Sequence, residues 1–256
     1  MTQDLLILCC AAFTAGFIDA IVGGGGLIQT PATLLTLPQY PLATLLGTTK
    51  IPSFTGTAIA AIQFAGKIKV HFKLLATMCG IALLAAYSGS YTVAHINNQL
   101  MKPIFFFVLI GVGIYTFTKK DFGIVSATSI SSKKEMLYGS LFALIVGFYD
   151  GFIGPGAGSF LIIFFISALK FDFLKASAHA KFVNLATNMG SIIFFSATGH
   201  ILYQFAIPMA ICNVTGAFFG ARLAILKGNR FIRVFFLLVI TATILRFGYD
   251  IFLKTH

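Results

Sequence analysis

Charge is the scarcest resource in this chain. Charged residues make up 10% of its 256 positions, and only seven of them are acidic. An ordinary soluble domain carries about 25% charged residues. With 58% hydrophobic residues and a mean hydropathy of +0.94, the chain holds more apolar surface than one soluble core of this length buries. Among the carboxylates only Asp19, Asp150 and Asp250 fall in apolar stretches, too few to ligate metal or support ATP chemistry. GxSxG, HExxH and GxxxxGKS/T motifs are missing, as is any Cys/His pair at catalytic spacing, so an enzyme is not expected, nor a cofactor or metal. Cys9, Cys10, Cys79 and Cys212 form no CxxC and lie in apolar segments, where they are expected as buried packing residues. The opening Met-Thr-Gln-Asp lacks a basic n-region, so the apolar stretch 5–22 reads as a retained segment rather than a signal peptide. The polar/apolar alternation of a membrane β-strand is also missing, since runs such as 104–114 and 231–240 are apolar on every face. The expected fold is therefore an all-α polytopic membrane protein.

Positive charge is present, with 18 basic residues and a formal net charge of +11. These residues stand singly or in pairs between apolar runs and form no stripe interleaved with aromatics, so nucleic acid is not an expected partner. They serve instead to orient the chain in a bilayer.

The chain is written twice. Gly16-Phe17-Ile18-Asp19 returns as Gly147-Phe148-Tyr149-Asp150. The interval that separates Gly16 from Gly147 also carries Gly23 and Gly25 to Gly154 and Gly156, Lys50 to Lys181, Gly89 to Gly220, and Lys102 to Arg233. It drifts slightly only near 66–80. This divides the chain into a first transmembrane repeat, 1–118, a polar connecting loop, 119–135, and a second repeat, 136–256. Each repeat parses into five apolar segments: 5–22, 27–37, 45–65, 73–94 and 103–118, then 136–153, 159–169, 178–198, 202–224 and 231–253. An odd count returns the second repeat through the membrane with inverted topology. On this parse one face collects Lys67, Lys69, Lys73, Lys119, Lys120, Lys133, Lys134, Lys170, Lys175, Lys227, Arg230 and Arg233. The other collects Lys102 and Lys254. The positive-inside rule makes the rich face, including the connecting loop, cytoplasmic and places both termini outside.

The second segment of each repeat spans only about 16 Å as helix, against a hydrocarbon core of about 30 Å. Each follows a helix-breaking run, Gly23 to Gly26 and Gly154-Pro155-Gly156-Ala157-Gly158. Each repeat thus opens with a broken helical hairpin whose irregular tip must be covered by protein or a wet cavity. Glycine lets a ligand approach the backbone, and the helix N-terminus beyond it favours an anion. The tip residues Gly24, Gly25, Gly26, Pro155, Gly156 and Gly158 are accordingly candidate binding elements. The alternative is that the glycines serve tight packing alone, as the small-xxx-small pair Gly216 and Gly220 is expected to do.

Intramembrane charges also come in repeat-related pairs, Asp19 with Asp150 and Lys50 with Lys181. One reading is an ion pair inside each repeat, Asp19 with Lys50 and Asp150 with Lys181, bracing the hairpin. The other has the lysines attract an anion while an aspartate carries a coupling proton. Lys181, Asn184 and Asn188 share a helix face, facing either a cavity or a neighbouring helix. The first repeat offers Thr48, Thr49, Ser53 and Thr57 there, Ser53 matching Asn184, and Gln29 and Ser159 lie just past the tips. His179 opposes Thr48 and is expected to be a packing histidine. The Phe runs are expected as lipid-facing or packing surface.

The strings at 16–31 and 147–160, with the stretch 175–190, resemble the sulfite exporter TauE/SafE family of bacterial transporters, also called TSUP, and its YfcA-like branch. The resemblance spans the chain. It implies a bacterial inner-membrane carrier of sulfite, sulfonates or related organosulfur anions; the lipid bilayer and a small anion are the expected partners, and the buried aspartates make protons a candidate coupling ion. A channel of the same fold, or a carrier for a carboxylate, stays open beside it, and the oligomeric state is not indicated.

A reporter active only in the cytoplasm, fused after His256, is expected to give no signal. Strong activity there would overturn the segment count.

Overall fold

A computed structural model describes residues 2–96 and 132–252. Among the described residues there are eight α-helices and no strand: α1 (Thr2–Val22), α2 (Gly26–Thr36), α3 (Leu42–Ala65), α4 (Phe72–His95), α5 (Ser132–Phe152), α6 (Ala157–Ser167), α7 (Phe173–Ala197) and α8 (Tyr203–Phe252). The expected segment 103–118 and most of the loop 119–135 lie outside the described residues. α8 bends at Gly228, where φ is 68°, between the fourth and fifth segments expected for the second repeat.

Helix lengths repeat in order. α1, α2 and α3 have 21, 11 and 24 residues, and α5, α6 and α7 have 21, 11 and 25. α3 and α7 begin earlier than their apolar runs. For α7 the cause is Asp172, whose carboxylate accepts the Lys175 N–H at 2.9 Å and caps the first turn. Among the described residues three helical stretches are long and apolar enough to cross a bilayer: Gln3–Val22, Phe72–His95 and Tyr203–Ile232. The outer surface is apolar, with Leu35, Phe72 and Leu226 each more than 70% exposed. Cys10 lies on that surface, contrary to the expected burial, and the other three cysteines are half-buried. A thiol facing lipid leaves no strong polar group unsatisfied. The Phe pairs 164–165 and 194–195 are buried and pack the core.

The two repeats are interleaved rather than juxtaposed. α1 packs along α8 in ascending register, Phe13 against Gly216 and Phe17 against Gly220. α5 packs along α4 in the same way, Gly147 against Ala82 and Gly151 against Ala86. The contacts obey the repeat: Gly220 lies against the Phe17 carbonyl and Gly89 against the Phe148 carbonyl, so that both partners of one contact are the repeat mates of the other's. At both, a Cβ would overlap the facing oxygen, so glycine sets the helix separation. α3 runs parallel to α8, with Gly47 beside His200 and Gln63 Nε2 donating to the Phe218 carbonyl. α4 runs parallel to α7, with Cys79 near Phe182 and Leu83 against Gly190. Between the sets the order reverses. Gly47 abuts Phe195, whereas Thr57 and Lys181 converge on Asp19.

The short helices differ in character. α6 buries nearly every residue, as an all-round apolar helix must. α2 buries its polar side, Gln29, Thr30 and Thr33, and turns Leu35 outward. The connections bearing Lys67, Lys69, Lys170 and Lys175 meet at one end of the bundle, where the His71 N–H donates to His179 Nε2 at 3.1 Å and Lys175 Nζ lies 3.3 Å from His71 Nε2. Lys227 and Arg230 join them, because the Leu174 N–H donates to Asn229 Oδ1. The opposite end, built from 37–42, 94–96 and 198–202, holds no lysine or arginine among the described residues.

Gly89→Val and Gly220→Val are expected to lower the thermal midpoint in detergent, since overpacking costs about 1–3 kcal/mol. Gly80→Ala has open space around its Cβ and gains up to about 1 kcal/mol of helix propensity, so it should hold or raise the midpoint. Equal losses in all three variants would refute the crossing geometry.

Candidate functional site

α1 and α5 end at Val22 and Phe152, and the chain reverses through left-handed glycines, Gly23 at φ 75°, Gly154 at φ 96° and Gly156 at φ 86°. Only glycine adopts these angles without strain. The two tips meet. Gly23 lies on the Gly158 backbone, a Cβ at Gly26 would stand 3.1 Å from the Pro155 Cα, and Ser159 Oγ donates to the Val22 carbonyl at 3.0 Å.

Buried charge then closes each hairpin from the other repeat. Lys50 Nζ lies 2.9 Å from Asp150 Oδ1 and donates to the Asp150 carbonyl at 2.6 Å. Lys181 Nζ lies 3.2 Å from Asp19 Oδ2 and donates to the Asp19 carbonyl. This corrects the expected pairing within each repeat: Asp19 pairs with Lys181, and Asp150 with Lys50. The physical reason is the helix end. Asp19 and Asp150 sit in the last turns of α1 and α5, where the dipole favours a cation; the Asp150 carbonyl meets no backbone donor among the described residues, and the Asp19 carbonyl accepts the Gly23 N–H at 2.8 Å as well as the lysine. A lysine from the facing helix satisfies carboxylate and carbonyl together.

Between the tips lies a cavity of about 30 Å³, room for a water, lined by Asp19, Lys50, Ser53, Asp150, Asn184 and Asn188, with Gly26, Gly156, Gly158, Thr49 and Thr57. The N–H groups of Gly26 and Gly158, which open α2 and α6, meet no backbone acceptor among the described residues. Asn188 Nδ2 donates to the Asn184 carbonyl and Oδ1 along α7, not to another helix, which leaves the Asn184 amino group without a hydrogen-bond acceptor among the described residues.

Other expected residues are placed beside the cavity rather than on it. Gln29 bridges helices, its Nε2 donating to the Thr49 carbonyl and its Oε1 accepting from Asn213, both at 2.9 Å. Gly24 is buried and its carbonyl accepts the Leu27 N–H. Gly25 donates its N–H to Asp19 Oδ1 at 3.3 Å, and a Cβ there would lie 2.5 Å from the Ala15 carbonyl oxygen, so it is small because α1 lies against it. The Pro155 carbonyl accepts the Tyr149 hydroxyl. Lys181 is 1% exposed and does not line the cavity, although Asn184 and Asn188 on the same helix do.

Thr48 and His179 share one task at opposite ends. Thr48 Oγ1 accepts the N–H of Leu202, which precedes α8. His179 Nε2 accepts the N–H of His71, which precedes α4, while its Nδ1–H donates to the Lys175 carbonyl at 2.7 Å. The two acceptors occupy equivalent positions of the repeats, and so do the two donors. His179 is therefore a satisfied packing residue.

Two contributors escape the sequence reading. Thr187 donates to Asp150 Oδ2 and lies 2.8 Å from the Asn184 carbonyl; its position on the face of Asn184 was the available signal. Asn213, with Ala82 at its related position, betrays itself only as an amide among apolar neighbours in the middle of a membrane segment.

Helices, tips and buried charges define a multi-pass membrane protein whose polar centre lies between two broken hairpins. The sulfite exporter TauE/SafE family profile matches residues 8–247. A "Probable membrane transporter protein" of Haemophilus influenzae is 36% identical over 236 residues, covering 90% of this chain and 89% of its own. The "Probable membrane transporter protein YfcA" of Escherichia coli K12 is 32% identical, covering 98% and 92%. A more distant relative is YdhB of Bacillus subtilis, 22% identical over 227 residues, covering 85% and 89%. No solved structure matches significantly. The chain belongs to the sulfite exporter TauE/SafE family.

Lys50→Met is expected to destabilise the protein by about 3–5 kcal/mol, because it strands a buried carboxylate. Asp150→Asn should restore most of that loss and Asp19→Asn none, as read by thermal unfolding in detergent. Rescue by Asp19→Asn instead would reinstate pairing within the repeat.

Proposed function

We propose that the protein is a secondary carrier of small anions, sulfite, sulfonates or related sulfur oxoanions, working by alternating access at the cavity between the two tips. One observation carries this reading: Lys50, an ammonium in an apolar bundle, lines a cavity together with backbone N–H groups, Ser53 and the Asn184 amide. Donors of that kind on one small volume suit an oxoanion. The matching family's description names sulfite export, which supports sulfur anions over carboxylates.

The inverted relation of the repeats finds support in helix direction. α1 runs with α3 and α8, α5 runs with α4 and α7, and the order between α3 and α7 descends. The first helices of the two repeats are thereby opposed, as inverted repeats demand. The lysine-rich end supports a cytoplasmic assignment for the 66–73 and 170–175 connections, and with it periplasmic termini in a bacterial inner membrane. A cavity of about 30 Å³ is smaller than an oxoanion, so the tips must part to admit one. That favours a carrier over a channel of the same fold, and rocking of one hairpin against the other is the motion the geometry permits.

In proteoliposomes, labelled sulfite or methanesulfonate is expected to show saturable counterflow, stimulated by the same anion on the opposite side. The stable double variant Lys50→Met, Asp150→Asn should lose it at least about tenfold, equivalent to about 1.4 kcal/mol. Unsaturable flux without counterflow would favour the channel, and wild-type counterflow in the double variant would remove Lys50 from the site.

A further inference from the structure

The two ion pairs are related by the repeat but are not chemically equivalent. Lys50 and Asp150 both line the cavity, whereas Lys181 is sealed behind Asp19. An arriving anion can therefore replace a carboxylate on Lys50 but cannot reach Lys181.

The carboxylates are held differently too. Asp19 accepts from the Gly25 N–H and the Lys181 ammonium, donors that cannot turn into acceptors for a carboxyl proton, and at 3.4 Å from the Thr57 hydroxyl, which has no second acceptor among the described residues to turn its proton to. Asp150 has the Thr187 hydroxyl on its second oxygen. That hydroxyl has one proton and two acceptors in reach, Asp150 Oδ2 and the Asn184 carbonyl. If Asp150 is protonated, Thr187 can donate to Asn184 and accept the new O–H, so no hydrogen bond is lost.

Building on the anion-carrier reading above, we propose that Asp150 carries the coupling proton of an anion–proton symport, exchanging Lys50 for a proton as the anion binds, while Asp19–Lys181 stays a permanent ion pair. The charges balance. The resident pairs sum to zero. A monovalent anion on Lys50 frees the Asp150 carboxylate, which takes one proton from the side the anion entered, and the sum returns to zero. On release the proton leaves Asp150, and the carboxylate returns to Lys50. A buried carboxylate without its cation is the costly species this exchange avoids. Among the described residues the ionisable groups around Asp150 are Lys50 from α3, Asp19 from α1 with Lys181 behind it from α7, and the adjacent Tyr149 phenol, which is engaged with Pro155. α4 and α6 contribute Ser90 and backbone there.

The test is methanesulfonate binding to the purified full-length protein by titration calorimetry between about pH 6 and 8, where the probe itself carries no proton. One proton taken up per anion makes the dissociation constant rise about tenfold per pH unit. Wild type should show that slope, and Asp150→Asn should bind with a flat profile. Infrared difference spectra on wild type should show a protonated-carboxyl stretch appearing with the anion, displaced in Asp150→Glu; this readout stands if Asp150→Asn fails to fold. A flat wild-type profile would overturn the coupling and leave the anion carrier intact. A slope kept in Asp150→Asn but lost in Asp19→Asn would transfer the role to the other pair and overturn the assignment. Absence of binding by methanesulfonate and by thiosulfate would take down both this proposal and the carrier reading beneath it.

Discussion

Everything in this molecule hangs on an ammonium from one repeat closing the last turn of the other repeat's first helix. In an apolar bundle a helix that stops short leaves carbonyls with nothing to accept, and a lone charge is costlier still. Lys50 removes both liabilities at Asp150, serving its carboxylate and its carbonyl, and Lys181 compensates the Asp19 carboxylate while sharing the Asp19 carbonyl with the Gly23 N–H. The hairpins can therefore break in the interior, and the glycine tips can meet there.

The same exchange of services recurs at the helix starts. Thr48 accepts the N–H that precedes α8, and His179 accepts the one that precedes α4. The helix crossings are set likewise, by Gly89 on Phe148 and Gly220 on Phe17. Near-symmetry makes the scaffold, and departures from it make the site. Asn184 and Asn188 replace Ser53 and Thr57, Thr187 replaces Gly56, and only one lysine of the pair reaches the cavity. A single off-centre ligand suits such a lining better than two equivalent ones.

Much of this was legible in the residues. Apolar runs and helix-breaking glycines located every described helix, because bilayer thickness and backbone satisfaction leave few alternatives. The constant interval between matching residues identified both hairpins and both charged pairs. Pairing was not legible. Two aspartates and two lysines related by one interval can be joined within repeats or across them with the same spacing, and only the crossing of α3 and α7 over the facing tips decides. Gln29, Thr48 and Ser159 were read as ligand donors because a polar side chain near a tip looks the same whether its partner is an anion or a distant carbonyl. Their partners, Thr49, Leu202 and Val22, are backbone groups, which leave no mark on composition.

The crossed lysines also dictate an order of events during synthesis. Asp19 and Lys50 leave the ribosome early, yet neither finds its counterion until Lys181 and Asp150 have followed. While the stretch from Lys50 to Asp150 is being made, the first repeat must hold an uncompensated cation and anion at a point where lipid offers neither any solvation. The first repeat therefore lacks both of its native counterions through that interval. It gains its native ion pairs only when the second half arrives, so completion of the fold is cooperative over nearly the whole chain.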